Sequence, residues 1–302
     1  MSLQFARVAL RQPGRRLFAT ASTTVSLKYD LHEPPTKTSS GEQRPILFLH
    51  GLFGSKKNNR GISKRLASDL GRPIFALDLR NHGESPHTVI HDYTSMAADV
   101  RAFIKEHGLG APTLIGHSMG AKTAMTLALQ SPEDVHDLVA VDNAPLDAAL
   151  GSDFPHYLRG MQKIDAAGIT KLSEADSILS EYEEASFSLP IRQFILGNLH
   201  IPAGSKTRRF RIPLTTLAKS VGGMGDFPFK DPEAVRFEKP ALFVRGTKST
   251  YVPDEVLPLI GQFFPRFRLV DIDAGHWVIS ENPEEFRRAV VDFLTPSDDS
   301  SD

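Results

Sequence analysis

Apolar residues in this chain follow two alternating rhythms. Short apolar runs occur at 46–49, 74–77, 113–115, 138–141 (within a strand read over 135–141) and 241–244. Several start behind a proline, at Pro45, Pro73, Pro112 and Pro240, and end at Gly, His or Asp. Runs of this length, apolar on both faces, predict buried parallel strands. Between them, apolar positions recur at helical spacing over 59–70, 93–107 and 121–130, and the first two stretches stop at Gly71 and Gly108. Residues 25–31 alternate like a first strand, and 34–45 read as a polar loop. After 240–246 come a short helix behind Pro253, a strand over 267–272, a loop over 273–277 and a helix over 283–294. Strands alternating with helices predict an α/β fold, a mostly parallel, doubly wound sheet. Ligands bind beyond the C-terminal strand ends of such sheets.

The rhythm breaks over 145–238. Helical patterns at 154–167, 170–186 and 190–199 are separated by Pro and Gly, and Gly222-Gly223-Met224-Gly225 follows. This segment reads as a cap over the strand ends. Tyr157, Phe187, Phe194, Phe210, Leu214, Leu217 and Phe227 are its apolar content, mostly its own core, with a few lining a pocket. Lys206, Arg208, Arg209 and Arg211 form a basic cluster, read as a solvated face or as a seat for a phosphate-bearing carrier.

Composition narrows the classes. The chain has 302 residues, 40% hydrophobic and 24% charged, with a net charge of −1. That is enough chain for a sizeable core, with no charge excess to suggest a nucleic-acid partner. It has no cysteine, which excludes disulfides, thiolate metal sites and Cys nucleophiles. No apolar run approaches the roughly 18 residues of a membrane span. Residues 1–24 carry Arg7, Arg11, Arg15 and Arg16, and no acid precedes Asp30. This is the composition of a mitochondrial presequence, with Arg16-Leu17-Phe18-Ala19 resembling a matrix-processing site. Residues 296–302 read as a disordered acidic tail.

The chemistry centres on Gly116-His117-Ser118-Met119-Gly120, a Gly-x-Ser-x-Gly pattern between a strand and a small-residue helix. The turn lifts a serine hydroxyl clear of the sheet, and the helix that starts at Met119 aims its positive end at the same place. A competing reading takes Gly116-x4-Ala121-Lys122-Thr123 as a phosphate loop, but Ala121 stands where glycine is wanted. A serine needs a base. Of 11 histidines, His276 sits in a loop at the same sheet edge, behind Gly275, and gives the chain order Ser, acid, His. His117 would point away from the site. The acid is Asp142, at the end of the strand after the Ser118 helix, or Asp254, behind Pro253; the usual position is Ser249. His50-Gly51-Leu52, at the end of a buried strand, would supply the Leu52 N–H as an oxyanion donor beside that of Met119.

Together, His50-Gly51-Leu52-Phe53-Gly54-Ser55, Asp78-Leu79-Arg80-Asn81-His82-Gly83-Glu84-Ser85, Gly116-His117-Ser118-Met119-Gly120 and Gly275-His276-Trp277 resemble the α/β-hydrolase superfamily. Gly-His-Ser-Met-Gly-Ala-Lys and Val-Asp-Asn-Ala-Pro at 141–145 are similar to a narrower group. It holds mitochondrial abhydrolase-eleven-type proteins, small bacterial acyl esterases and yeast ethanol acetyltransferases. The resemblance covers about residues 25–295. It implies an α/β-hydrolase fold with a helical cap inserted after the sixth strand, and places the acid at Asp142. It further implies a cofactor-free, metal-free serine hydrolase acting on small acyl esters or thioesters, some members passing the acyl group to an alcohol. A non-catalytic partner-binding protein on the same fold is the alternative. An epoxide hydrolase or dehalogenase is disfavoured, because those use Asp where Ser118 stands.

Overall fold

The apolar runs form the centre of one sheet. The computed structural model describes residues 24–35, 44–148, 153–182 and 188–295. The N-terminal presequence reading, save Thr24, and the acidic-tail reading lie outside them. Strands β1 (Lys28–His32), β2 (Ile46–Leu49), β3 (Ile74–Asp78), β4 (Thr113–His117) and β5 (Asp137–Val141) come first. A small pair follows, β6 (Leu199–His200) and β7 (Arg209–Phe210), then β8 (Ala241–Gly246) and β9 (Phe267–Ile272). The main sheet has seven strands in the order β1-β3-β2-β4-β5-β8-β9. β1 runs antiparallel to β3, and every other pairing in this sheet is parallel.

Side chains alternate across the sheet with period two. Leu47, Leu49, Leu114, Leu138 and Ala140 face one core, with helices α2 (Tyr93–Glu106) and α3 (Met119–Gln130). Ile46, Phe48, Ile115, Val139 and Val141 face the other, with α1 (Arg60–Leu70) and, at the chain's end, Pro283–Leu294. Each large aliphatic or aromatic side chain buried this way contributes about 1.5–3 kcal/mol. α3 is buried on every side from Met119 to Leu129. That is why its sequence is small: Ala121, Ala124 and Ala128 let the sheet, α2 and the cap approach together.

The insertion between β5 and β8 holds α4 (Asp153–Ala167), α5 (Leu172–Ser180), α6 (Leu189–Leu196) and α7 (Leu214–Ser220). Five main-sheet strands precede it among the described residues, so it follows the fifth strand and not a sixth. Among the described residues, β1 extends the sheet beyond β3. α5 stops at Ser180, short of the helix expected over 170–186; residues 183–187, with Phe187, lie outside the described residues. The segment around 199–210 is a hairpin with Leu199 opposite Phe210, where helical spacing alone suggested no strand. Pro202 and Gly204 between its arms oppose a helix. Arg208 Nε donates to the Thr170 carbonyl at 3.1 Å and Arg209 pairs with Asp165 at 3.5 Å, so half of the basic cluster ties this hairpin to α4 and the α4–α5 turn. The later helices are α8 (Leu257–Phe263), α9 (Val278–Glu281) and α10 (Pro283–Leu294). Among the described residues, no helix is long and apolar enough to cross a membrane.

Candidate active site

The turn after β4 is built by what it excludes. Ser118 has φ 53° and ψ −113°, a left-handed backbone that a non-glycine residue holds at a cost of about 1–3 kcal/mol. A Cβ on Gly116 would lie 2.2 Å from the Gly120 carbonyl oxygen, and one on Gly120 would lie 2.3 Å from that of Leu49. Both contacts are with backbone, which cannot swing away. The Ser118 N–H donates to the Val141 carbonyl at 2.9 Å, locking the turn to β5.

Three side chains from three loops meet there. Ser118 Oγ lies 2.9 Å from His276 Nε2, and His276 Nδ1 lies 2.7 Å from Asp142 Oδ2. With Asp142 Oδ2 as the acceptor, Nδ1 carries the ring proton and Nε2 accepts from the serine hydroxyl. Asp142 is fully buried, also on a left-handed backbone, φ 49°. Its remaining capacity is taken by the Gly246 N–H at 3.0 Å and the Ser249 hydroxyl at 2.5 Å. The Tyr251 ring stacks on the His276 imidazole, centroids 4.0 Å apart. Phe154 of the cap meets the same imidazole edge to face at 6.4 Å.

Asp254 takes no part. It is exposed and paired with Arg245 at 2.5 Å. Ser249, at the usual acid position, donates to the acid instead. Its role and that of Tyr251 escape a reading of the chain, because contact across strand ends leaves no spacing signal. His117 points away from Ser118, as expected. Its Nε2 bonds the His276 carbonyl at 2.8 Å, and burial with His276 beside it lowers its pKa to about 4. The phosphate-loop reading fails on geometry. Lys122 Nζ is spent on three main-chain carbonyls, and Thr123 Oγ1 donates to the Met119 carbonyl.

Leu52 and Met119 lie on the two turns that flank Ser118, and both are buried. Met119 opens α3, so its N–H lacks an intrahelical partner. The Leu52 turn is held by histidines. His50 Nε2 accepts the Leu79 N–H at 3.0 Å while Nδ1 donates to the Gly51 carbonyl at 2.8 Å. His82 Nε2 accepts the Phe53 N–H at 3.1 Å while Nδ1 donates to the Arg80 carbonyl at 3.0 Å. These roles need neutral rings, and burial lowers both pKa values, that of His82 strongly. From the cap, Asn198 Nδ2 donates to the Phe53 carbonyl at 2.8 Å.

A cavity of about 720 Å³, lined in part by Gly51, His117, Ile191, Phe194 and Trp277, borders the nucleophile turn through Gly51 and His117, with Ser118, Asp142 and His276 not among its lining residues. A Cβ on Gly51 would be 3.4 Å from that of Ser118, so the cavity wall abuts the nucleophile turn. Phe194 of α6 and Trp277 beside His276 meet edge to face at 4.7 Å, joining cap to site.

The geometry is that of a known class. The family model described as alpha/beta hydrolase fold matches residues 44–283. A probable alcohol acetyltransferase of Saccharomyces cerevisiae is 41% identical over 91% of this chain and 85% of its own. The sn-1-specific diacylglycerol lipase ABHD11 of Xenopus tropicalis is 38% identical over 91% of this chain and 83% of its own. A solved marine microorganism esterase superposes with a TM-score of 0.80 at 29% identity, covering 89% of this chain and all, 100%, of its own. With its sheet, its serine turn and this match over most of its length, the chain belongs to the alpha/beta hydrolase fold family.

Proposed function

We propose that this protein is a serine hydrolase of carboxylic esters or thioesters that works through an acyl-serine. The observation that carries this reading is the unbroken path from Ser118 Oγ through His276 to Asp142, at 2.9 and 2.7 Å. His276 Nε2 takes the hydroxyl proton as Oγ attacks the acyl carbonyl carbon. Asp142 holds the tautomer and stabilises the imidazolium. The N–H groups of Leu52 and Met119 receive the oxyanion, and each such donor is typically worth roughly 3 kcal/mol of barrier. The tetrahedral intermediate collapses, the C–O or C–S bond breaks, and His276 returns the proton to the departing alcohol or thiol. Water or an alcohol, deprotonated by His276, then attacks the acyl-Ser118 and frees the serine.

Transfer to an alcohol is the second reading. The likeness to a probable alcohol acetyltransferase supports it, as do the burial of Ser118 and the contact of Phe154 of the cap with the His276 ring. Likeness to a diacylglycerol lipase supports glycerol esters among the substrates. A p-nitrophenyl series from acetate to laurate, with and without ethanol, tests both. Hydrolysis lost in Ser118→Ala supports the first reading, and ethyl ester formed in its place supports the second. Absence of Ser118-dependent turnover would overturn both in favour of a partner-binding protein. We propose in addition that residues 1–24 direct the chain to the mitochondrial matrix. Their four arginines and lack of acids support this, and import into isolated mitochondria with and without these residues tests it.

A further inference from the structure

Lys122 is a cation the reaction does not use, and it is buried in the second turn of the helix that begins beside Ser118. Its ammonium donates to the carbonyls of Leu146 at 3.0 Å, Gly225 at 2.6 Å and Asp226 at 3.1 Å. Leu146 lies where the chain leaves β5 for the cap, and Gly225 and Asp226 lie on its way back. An ammonium has three donors, and here each has a carbonyl. The Tyr93 ring lies 5.6 Å from the same ammonium, and the Tyr93 hydroxyl donates to the Met224 carbonyl at 2.8 Å. Burial brings the Lys122 pKa down to about 8, with Asp147 and Asp226 pulling up and Lys230 pulling down.

We infer that Lys122 is the clamp that holds the two roots of the cap together and against the nucleophile helix, making it a positioning residue for the substrate pocket. A cavity of about 490 Å³, lined by Tyr93, Asp147, Met224, Phe227 and Lys230 among others, opens at the roots, beside the apolar packing of Tyr93, Leu146, Met224 and Phe227. Among the described residues the roots are also linked directly by the Ala148 N–H to the Gly225 carbonyl at 2.9 Å and by the Phe227 N–H to Asp147 Oδ1 at 2.7 Å. Asp147 and Lys230 also pair, but with both side chains more than half exposed. Exposed pairs contribute little, whereas hydrogen bonds from a buried charge are among the strong ones. The consequence for catalysis rests on the serine-hydrolase reading above; the clamp itself does not.

Hydrogen exchange at the Ala148 and Phe227 amides reads the clamp without turnover. In Lys122→Met their exchange rises roughly tenfold to a hundredfold, and in Lys230→Ala it stays within about fivefold. The chain has no cysteine, so Lys122→Cys can be alkylated selectively in denaturant and refolded. Aminoethylation rebuilds an ammonium of lysine length and restores slow exchange; propylation leaves a neutral chain and does not. In turnover, Lys122→Met lowers kcat/KM for p-nitrophenyl laurate at least tenfold, while labelling of Ser118 by a small fluorophosphonate stays within about threefold. Unchanged exchange in Lys122→Met, or equal exchange in the two alkylated forms, overturns the clamp. Fast exchange in a protein with no esterase activity would instead uphold the clamp and remove the catalytic reading.

Discussion

Ser249 performs no chemistry, yet it governs the acid. Its hydroxyl and the Gly246 N–H donate to Asp142 beside His276. Ser249→Ala removes one of these donors and loosens the carboxylate that holds the imidazole. The expected result is a several-fold loss in kcat with KM unchanged, and an unaltered kcat would show that the hydroxyl is idle. Asp254→Ala leaves turnover within about twofold, because Asp254 serves only an exposed ion pair with Arg245. Ser118 and His276 were legible in the chain because each stands beside glycines at a strand's end. Asp142 was legible less directly. Position along the chain left Asp254 open, and the structure separates the two by the direction each side chain faces.

At the scale of elements, the two turns beside the serine are stiff for different reasons. The nucleophile turn is steric, and Gly116→Ala or Gly120→Ala drives a methyl into backbone. Either variant is expected to be insoluble or to melt at least 10 °C lower, since nothing in contact can rotate aside. The Leu52 turn is polar and pH-sensitive. His50 and His82 hold it as neutral acceptors, and His91 packs on His82 at 5.4 Å with its pKa lowered by burial to about 4. Their unfolded forms take up protons first, near pH 6.5, so the stability these rings provide is complete above that pH. It is lost as pH falls from 6.5 towards 4, by about 3 kcal/mol for His91 alone. Thermal melts across that range should fall steadily, and His91→Phe should flatten part of the slope. The glycines of both turns are visible in the sequence. The histidine support is not, because His50, His82 and His91 meet only once β2 and β3 lie side by side.

At the scale of the molecule, the sheet presents its strand ends to a cap whose buried side chains, Phe154, Tyr157, Leu217 and Phe227 among them, join the core on one face of the sheet. The central strands were legible to within about two residues, because a strand buried on both faces is mostly apolar, while β1 begins three residues later than read. β2, β4 and β5 are buried at every position. The cap was less so. Its helices are short, and a two-residue strand such as β6 has no period to read. What ties the cap down was hidden for the same reason as Ser249. Lys122 appears in sequence as part of a phosphate-loop pattern, and only the fold brings Leu146 and Gly225 to it. If residues 1–24 are a presequence, their removal leaves Tm and ester turnover unchanged, and a lower Tm would show that they belong to the fold.

Acyl transfer to Ser118 can be read by intact-mass spectrometry of the protein quenched during p-nitrophenyl ester turnover. The expected result is a mass increase equal to the acyl group, mapped by peptide digestion to Ser118 and absent from Ser118→Ala. His276→Ala is expected to abolish both this adduct and turnover. Turnover that persists in Ser118→Ala, or an acyl adduct mapped to another residue, would remove Ser118 from the role of nucleophile.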